Sequence, residues 1–177
     1  MDVQENQLTS IEGDLLIDTF ADFERAVLQD NITLFDTKAA AVLAFSGVML
    51  LYCVDQLAKY AGASGSYVWI IVGLLSVAAA GFLVSAWFSL STVRPRVLRS
   101  ADDHVFWDSA TFRLPIADYL AAMKRLDPKV ARDDKLRHLH LLAGICRNKI
   151  RQFRTSLYVA QAAFLALLGA EVARVVL

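Results

Sequence analysis

YVWIIVGLLSVAAAGFLVSAWFSL, residues 67–90, carries no charged side chain and sits inside an uncharged run of 34 residues from Tyr60 to Val93. A helix of about 20 apolar residues crosses a hydrocarbon core of roughly 30 Å, so this stretch is long enough to span a bilayer. Two further segments reach spanning length less cleanly. AAAVLAFSGVMLLYCV, residues 39–54, lies between Lys38 and Asp55, and TSLYVAQAAFLALLGA, residues 155–170, ends at Glu171. With one firm span already in the chain, both read as further spans. Asp55 and Glu171 are then expected near a membrane face, where a carboxylate costs far less than at mid-bilayer.

The 177 residues are 56% hydrophobic, with a mean hydropathy of +0.45, too apolar for an ordinary soluble domain. The expected fold is an all-α membrane protein with five parts. An acidic amphipathic helix (1–35) leads to a first span (36–59), then a second (67–91). A basic helical segment (92–154) and a third span (155–176) follow. The first span begins behind an acidic segment, unlike a cleavable secretory signal.

Charge orients these parts. Residues 94–154 hold 14 of the 18 basic side chains, whereas the turn between the first two spans offers only Lys59. Basic flanks stay in the cytoplasm, which places the N-terminus and the 94–154 segment inside and the KYAGASGSY turn outside. Residues 1–38 carry nine acidic and two basic side chains, and 94–154 carry seven and 14. These opposite net charges favour packing of the N-terminal helix on the second segment or on a neighbouring subunit. Because the basic excess is balanced within the chain, no nucleic-acid partner is implied. Many of the basic residues, among them Arg94, Arg96, Arg99, Arg147, Lys149, Arg151 and Arg154, flank spans and act first as anchors.

In the N-terminal segment Ile11, Leu15 or Leu16, Phe20, Phe23 and Val27 recur at helical spacing, with Asp14, Asp18, Asp22 and Glu24 largely elsewhere. This apolar face is expected to bury against protein, since an acidic polar face suits an anionic membrane poorly. Asn31 or Thr33 is expected to interrupt the helix before the first span. In the second segment Pro115 marks a helix start. Asp127-Pro128 is expected to close that helix, and a long helix begins near Val130. Along the long helix Leu136, Leu139, Ala143, Cys146, Ile150, Phe153 and Leu157 recur at 3–4 spacing, the mark of one continuous helix packing on a partner as it enters the bilayer. Gly144 beside this stripe is a candidate weak point.

The chemistry-bearing motifs are missing: there is no phosphate-cradling glycine loop, no HExxH and no nucleophile with a base. Cys53 and Cys146 fall in a span and in the stalk, so free thiols are expected. His138 and His140 point to different sides of their helix, and Asp102-Asp103-His104 reads as a solvated turn. No enzyme, metal or cofactor is expected. Small residues permit close helix contact along Gly73, Ser76 and Ala80, along Gly81 and Ser85, and at Ser46-Gly47. Asp55, Gln56, Gln161 and Glu171 are candidates for lining a pore or for hydrogen bonds between helices.

NITLFDTKAAAVLAF, residues 31–45, carries an Asp-x-Lys-Ala sequence (Asp36-Thr37-Lys38-Ala39) leading directly into a span. With the two close spans, Phe106-Trp107, the helix around Asp118-Tyr119 and the basic helix bearing Lys149, the chain resembles the transmembrane effectors of the Pycsar antiphage systems from about Ile32 to the third span. The resemblance implies a non-enzymatic bacterial inner-membrane protein paired with a pyrimidine cyclase through its product, cyclic CMP or cyclic UMP. Such an effector impairs the membrane so that the infected cell dies before phage can spread. No separate β-barrel nucleotide-binding domain fits within 94–154, so the messenger would be sensed by the helical part or between subunits of a homo-oligomer.

A cyclic nucleotide presents one phosphate charge and a base, met by cationic donors and aromatic faces. Arg113, Lys124, Arg125, Arg132, Lys135 and Arg137 are the candidate cations, and Phe106, Trp107 and Tyr119 the candidate stacking groups. Asp36 and Lys38, two apart on a helix, do not face each other. They are candidates for a gate, for anchoring the entrance to the first span, or for pairing between helices. A non-catalytic scaffold or adaptor, or a small oligomeric transporter or channel, remains the competing expectation.

Overall fold

A computed structural model describes residues 2–63, 65–94 and 127–176, with positions 115, 117, 118, 121, 124 and 125 between them; the side chains of residues 2–14 and of residue 66 are outside the description. Among the described residues three long helices stand out: α1 (Asp2–Lys59), α2 (Ser66–Val93) and α3 (Pro128–Val176). Each contains a stretch long and apolar enough to cross a membrane, and no strand occurs among the described residues. The protein is an all-α membrane protein with three transmembrane helices.

α1 runs through Asn31–Thr33 without the expected interruption. No glycine or proline lies between Gly13 and Gly47 to break it. Thr37 Oγ1, on the far side of that stretch, donates back to the Thr33 carbonyl at 3.0 Å, as Thr19 does to Leu15 at 2.8 Å. Such i to i−4 bonds leave the helical ladder intact. After Lys59 the chain turns through Tyr60–Ala63, where Gly62 adopts φ +89°, open to glycine without a Cβ clash.

Asp127-Pro128 opens α3 rather than only closing what precedes it. The Asp127 carboxylate accepts the Lys129 N–H at 2.8 Å and its carbonyl accepts the Ala131 N–H at 3.0 Å. Pro128 occupies the first helical position, where its missing N–H is no loss. The helix expected from Pro115 falls mostly outside the described residues; within them, Asp118 N–H bonds the Pro115 carbonyl at 3.0 Å. α3 continues unbroken through Gly144.

The chain divides into two compact units, one of Ile32–Pro95 with Arg147–Leu177 and one of Met1–Asn31 with Arg96–Cys146. In the first, the span unit, Cys53, Ile71, Leu75, Ala78, Phe82, Ala163, Leu167 and Ala170 form the buried core. Lipid is as apolar as leucine, so close packing rather than water exclusion holds such helices together. Gly81 supplies the closest approach: a Cβ there would lie 2.7 Å from that of Ala163. The Gly81–Ser85 line is thus a packed one, whereas Gly73, Ser76 and Ala80 face outward together with Trp69, Val77, Leu83 and Trp87.

In the second, the charged unit, α1 meets α3 by the side opposite to the one expected. Ala21 is buried, while Leu16, Phe20 and Phe23 are 71%, 64% and 67% exposed. The acidic face is turned towards α3 because Asp18 and Asp22 find cations there. Ile11 is among the residues whose side chains are not described. Of the expected α3 stripe, Leu136 is exposed, Leu139 and Ala143 are half-buried and Cys146 is buried in this unit; Ile150, Phe153 and Leu157 are half-buried in the span unit.

Candidate functional site

The span unit contains a cluster of hydroxyls sealed from solvent. Ser46 on α1, Ser85 and Ser89 on α2 and Ser156 on α3 each show no exposure. Ser85 Oγ donates to the Ser156 carbonyl at 3.0 Å and Ser156 Oγ returns a bond to the Ser85 carbonyl at 2.9 Å. Assigning both protons to these carbonyls leaves Ser85 Oγ and Ser156 Oγ, themselves 3.1 Å apart, as acceptors for the other two hydroxyls. Ser46 donates to Ser85 Oγ at 3.1 Å and Ser89 donates to Ser156 Oγ at 2.6 Å. Three helices are thereby joined by hydrogen bonds in which every hydroxyl proton is used.

An ion pair stands in the same unit. Lys149 on α3, its side chain 5% exposed, donates to Asp36 on α1. Beside it Phe35 and Phe153 pack with ring centroids 5.7 Å apart, and Lys38 Nζ lies 5.9 Å from the Phe35 centroid. The Asp-x-Lys sequence therefore sends its two charges different ways: the carboxylate to a buried lysine on another helix, the ammonium to an aromatic face at the exposed surface. Buried Thr92 bonds back to the Phe88 carbonyl at 3.0 Å.

Towards the other end of the spans, Tyr52 Oη donates to Glu171 at 2.8 Å, Arg174 donates to Gln56 Oε1 at 3.2 Å, and Asp55 pairs with Lys59 at 2.6 Å. Three of the four polar candidates for a pore lining thus satisfy one another or close neighbours. Gln161 differs: it is exposed on α3, in an open apolar groove of about 330 Å³ with Phe45 and Phe164.

The charged unit has its own polar cluster. Arg132 and Lys135, one turn apart on α3, meet Asp18 at 3.5 and 3.6 Å, and Lys135 also reaches Asp22 at 2.9 Å and the Asp18 carbonyl at 3.2 Å. Next to them lies a cleft of about 240 Å³ lined by Ala21, Arg25, Ala131, Lys135, His138 and Leu139. Two cations, an imidazole and an apolar floor therefore share one small space.

Of the candidate nucleotide contacts, Arg132 and Lys135 come together in this cluster. Arg137 is exposed on α3, and Lys124 and Arg125 are exposed before it. Phe106, Trp107, Arg113 and Tyr119 lie outside the described residues. Arg25, which lines the cleft, was not singled out by sequence reasoning, nor were Ser89 and Ser156, and His138 was weighed only together with His140. Lone serines in an apolar helix carry no pattern until the partner helix is known. The only available signal was the spacing of Ser85 and Ser89, one turn apart on α2.

The model of the Pycsar effector protein domain family matches residues 20–175, and the chain belongs to that family. No curated protein and no solved structure matches it significantly.

Proposed function

We propose that this Pycsar effector is a nucleotide-gated membrane protein of the bacterial inner membrane, activated by cyclic CMP or cyclic UMP and acting without chemistry on a substrate. Membership of the family makes it an antiphage membrane effector that functions with a cyclase system, and supports coupling through the cyclase's diffusible product. The basic flanks of residues 94–154 support a cytoplasmic side for that segment and for the N-terminus. The effector works as a homo-oligomer, because three helices enclose little by themselves.

The observation that carries the sensing step is the Asp18, Asp22, Arg132 and Lys135 cluster beside the cleft lined by Arg25 and His138. A phosphate anion is met best by cationic donors. The donors here are already held by carboxylates, so a cyclic nucleotide binds by exchange: its phosphate takes the place of Asp18 and Asp22 on Lys135 and Arg132. The released carboxylates loosen α1 from α3 within this unit. In the span unit, Asp36, Lys149 and the four serines are the polar groups that would line a path if the helices separated.

Purified protein in liposomes, loaded with dye and holding a potassium potential, tests the reading. Cyclic CMP or cyclic UMP is expected to release dye or collapse the potential, and Lys135→Gln to raise the nucleotide concentration required. Liposomes that stay tight with both nucleotides would overturn it.

A further inference from the structure

Among the described residues of the charged unit, none packs on one face of α1, and that face has the spacing of a helix-packing seam. Leu16, Phe20, Phe23 and Val27 follow one another at intervals of four, three and four residues, and all four are exposed. The face of α1 used against α3 is a different one, carrying Asp18, Ala21, Asp22 and Arg25. Alternating steps of three and four place a stripe along a partner helix, as at the a and d positions of a coiled coil. We infer that this stripe is a self-association seam, and that its occupant is the same stretch of α1 from a second copy of the chain.

Three features select a second copy. The positions flanking the stripe are Ile17, Glu24 and Asn31 on one side and Thr19, Ala26 and Thr33 on the other, so two identical helices meet with one carboxylate on each and no like-charged rows. Copies inserted in one bilayer share their topology, so residues 15–31 of each lie on the same side of the membrane and meet parallel and in register. The stripe also ends where self-pairing would fail: the next seam position is Asp30, which would oppose its own copy. A membrane surface fits less well, because Glu24 and Asp30, which border the stripe, would approach anionic lipid. A seam of three turns is short for two chains free in solution. Confinement to a membrane raises the local concentration and makes so short a seam sufficient.

This inference rests on the proposed homo-oligomer and adds its contact surface. The experiment reads full-length protein in resting membranes without nucleotide, so it stands or falls separately from the nucleotide response. Single substitutions Leu16→Cys, Phe20→Cys, Phe23→Cys and Val27→Cys are oxidised in isolated membranes. Arg25→Cys and Gln29→Cys serve as off-seam controls, and the unsubstituted chain, whose Cys53 and Cys146 are buried, as the blank. The seam positions are expected to give disulfide-linked pairs of chains and the controls none. Phe20→Glu combined with Phe23→Glu is expected to turn multi-step photobleaching of labelled single complexes into single steps. Equal crosslinking at Arg25→Cys, absence of crosslinks at all four seam positions, or unchanged multi-step bleaching in the double variant would each overturn the seam. In the last case the oligomer itself would survive with another contact.

Discussion

Lys149, almost wholly buried in α3, is neutralised by Asp36 of α1, the acidic member of the Asp-x-Lys sequence that leads into the first span. The two partners are unequally sheltered, with side chains 5% and 32% exposed. Removing Asp36 strands a buried ammonium, which costs about 3–5 kcal/mol when no compensation is available. Removing Lys149 strands a carboxylate that water already reaches, so the loss is smaller, about 1–3 kcal/mol. Asp36→Asn is therefore expected to lower the denaturant midpoint in detergent micelles, followed by circular dichroism, more than Lys149→Met. The double substitution should recover part of the loss. Equal midpoints for the two single variants would mean that the pair is wetter than its geometry implies.

Gly81 and Gly73 lie eight residues apart on α2 but have opposite surroundings. A methyl at Gly81 meets Ala163 Cβ at 2.7 Å and its backbone Cα at 3.4 Å, so a whole helix must move; at Gly73 nothing lies within 4 Å. Gly81→Ala is expected to destabilise by about 1–3 kcal/mol through overpacking. Gly73→Ala should stabilise by up to roughly 1 kcal/mol, because alanine restrains the unfolded chain. Adding Ala163→Gly to Gly81→Ala should restore part of the loss, with a remainder of about 1 kcal/mol from the new helical glycine. Thermal midpoints in one detergent would show these signs directly, and a neutral Gly81→Ala would rule out the close approach.

Asp127 caps α3 through its carboxylate and its carbonyl. Loss of such a cap costs about 1 kcal/mol, felt mainly in the first turn. Asp127→Ala should speed amide exchange at Lys129 and Ala131 while leaving exchange near Ala163 unchanged. Asp127→Ser should restore protection. Uniform acceleration along α3 would show a global effect instead of a cap.

The spans were legible because apolar length is a property of the chain alone, and residues 67–90 needed no partner to declare themselves. What depends on a second helix was less so. The apolar face of residues 15–27 reads as a burying face until Asp18 and Asp22 are seen to find Lys135 and Arg132, which rotates the helix and leaves Phe20 and Phe23 outside. The interruption expected at Asn31 or Thr33 is absent because no glycine or proline near them stops α1. Capping residues can satisfy the preceding turn as well as start a new one, and sequence alone does not choose. Within the site, Asp36 stood out by its motif, whereas Ser89 and Ser156 gained meaning only from each other.

That serine cluster gives the most discriminating stability test, because its proton assignments rank the members. Ser156 accepts from Ser89, gives its proton to the Ser85 carbonyl and offers its own carbonyl to Ser85 Oγ; Ser46 makes one terminal bond. Hydrogen bonds between membrane helices are worth about 0.6 kcal/mol on average, with a maximum near 1.7. Ser46→Ala should therefore cost about 0.6 kcal/mol, and Ser156→Ala roughly 1–2 kcal/mol, because it also leaves the buried Ser89 hydroxyl without its acceptor. Adding Ser89→Ala to Ser156→Ala should cost less than Ser89→Ala does alone, since the stranded donor is then removed. A cycle of the four proteins, read by denaturant midpoint in the same micelles, measures that coupling. Strict additivity would mean that Ser89 donates elsewhere and that the three helices are not joined through Ser156.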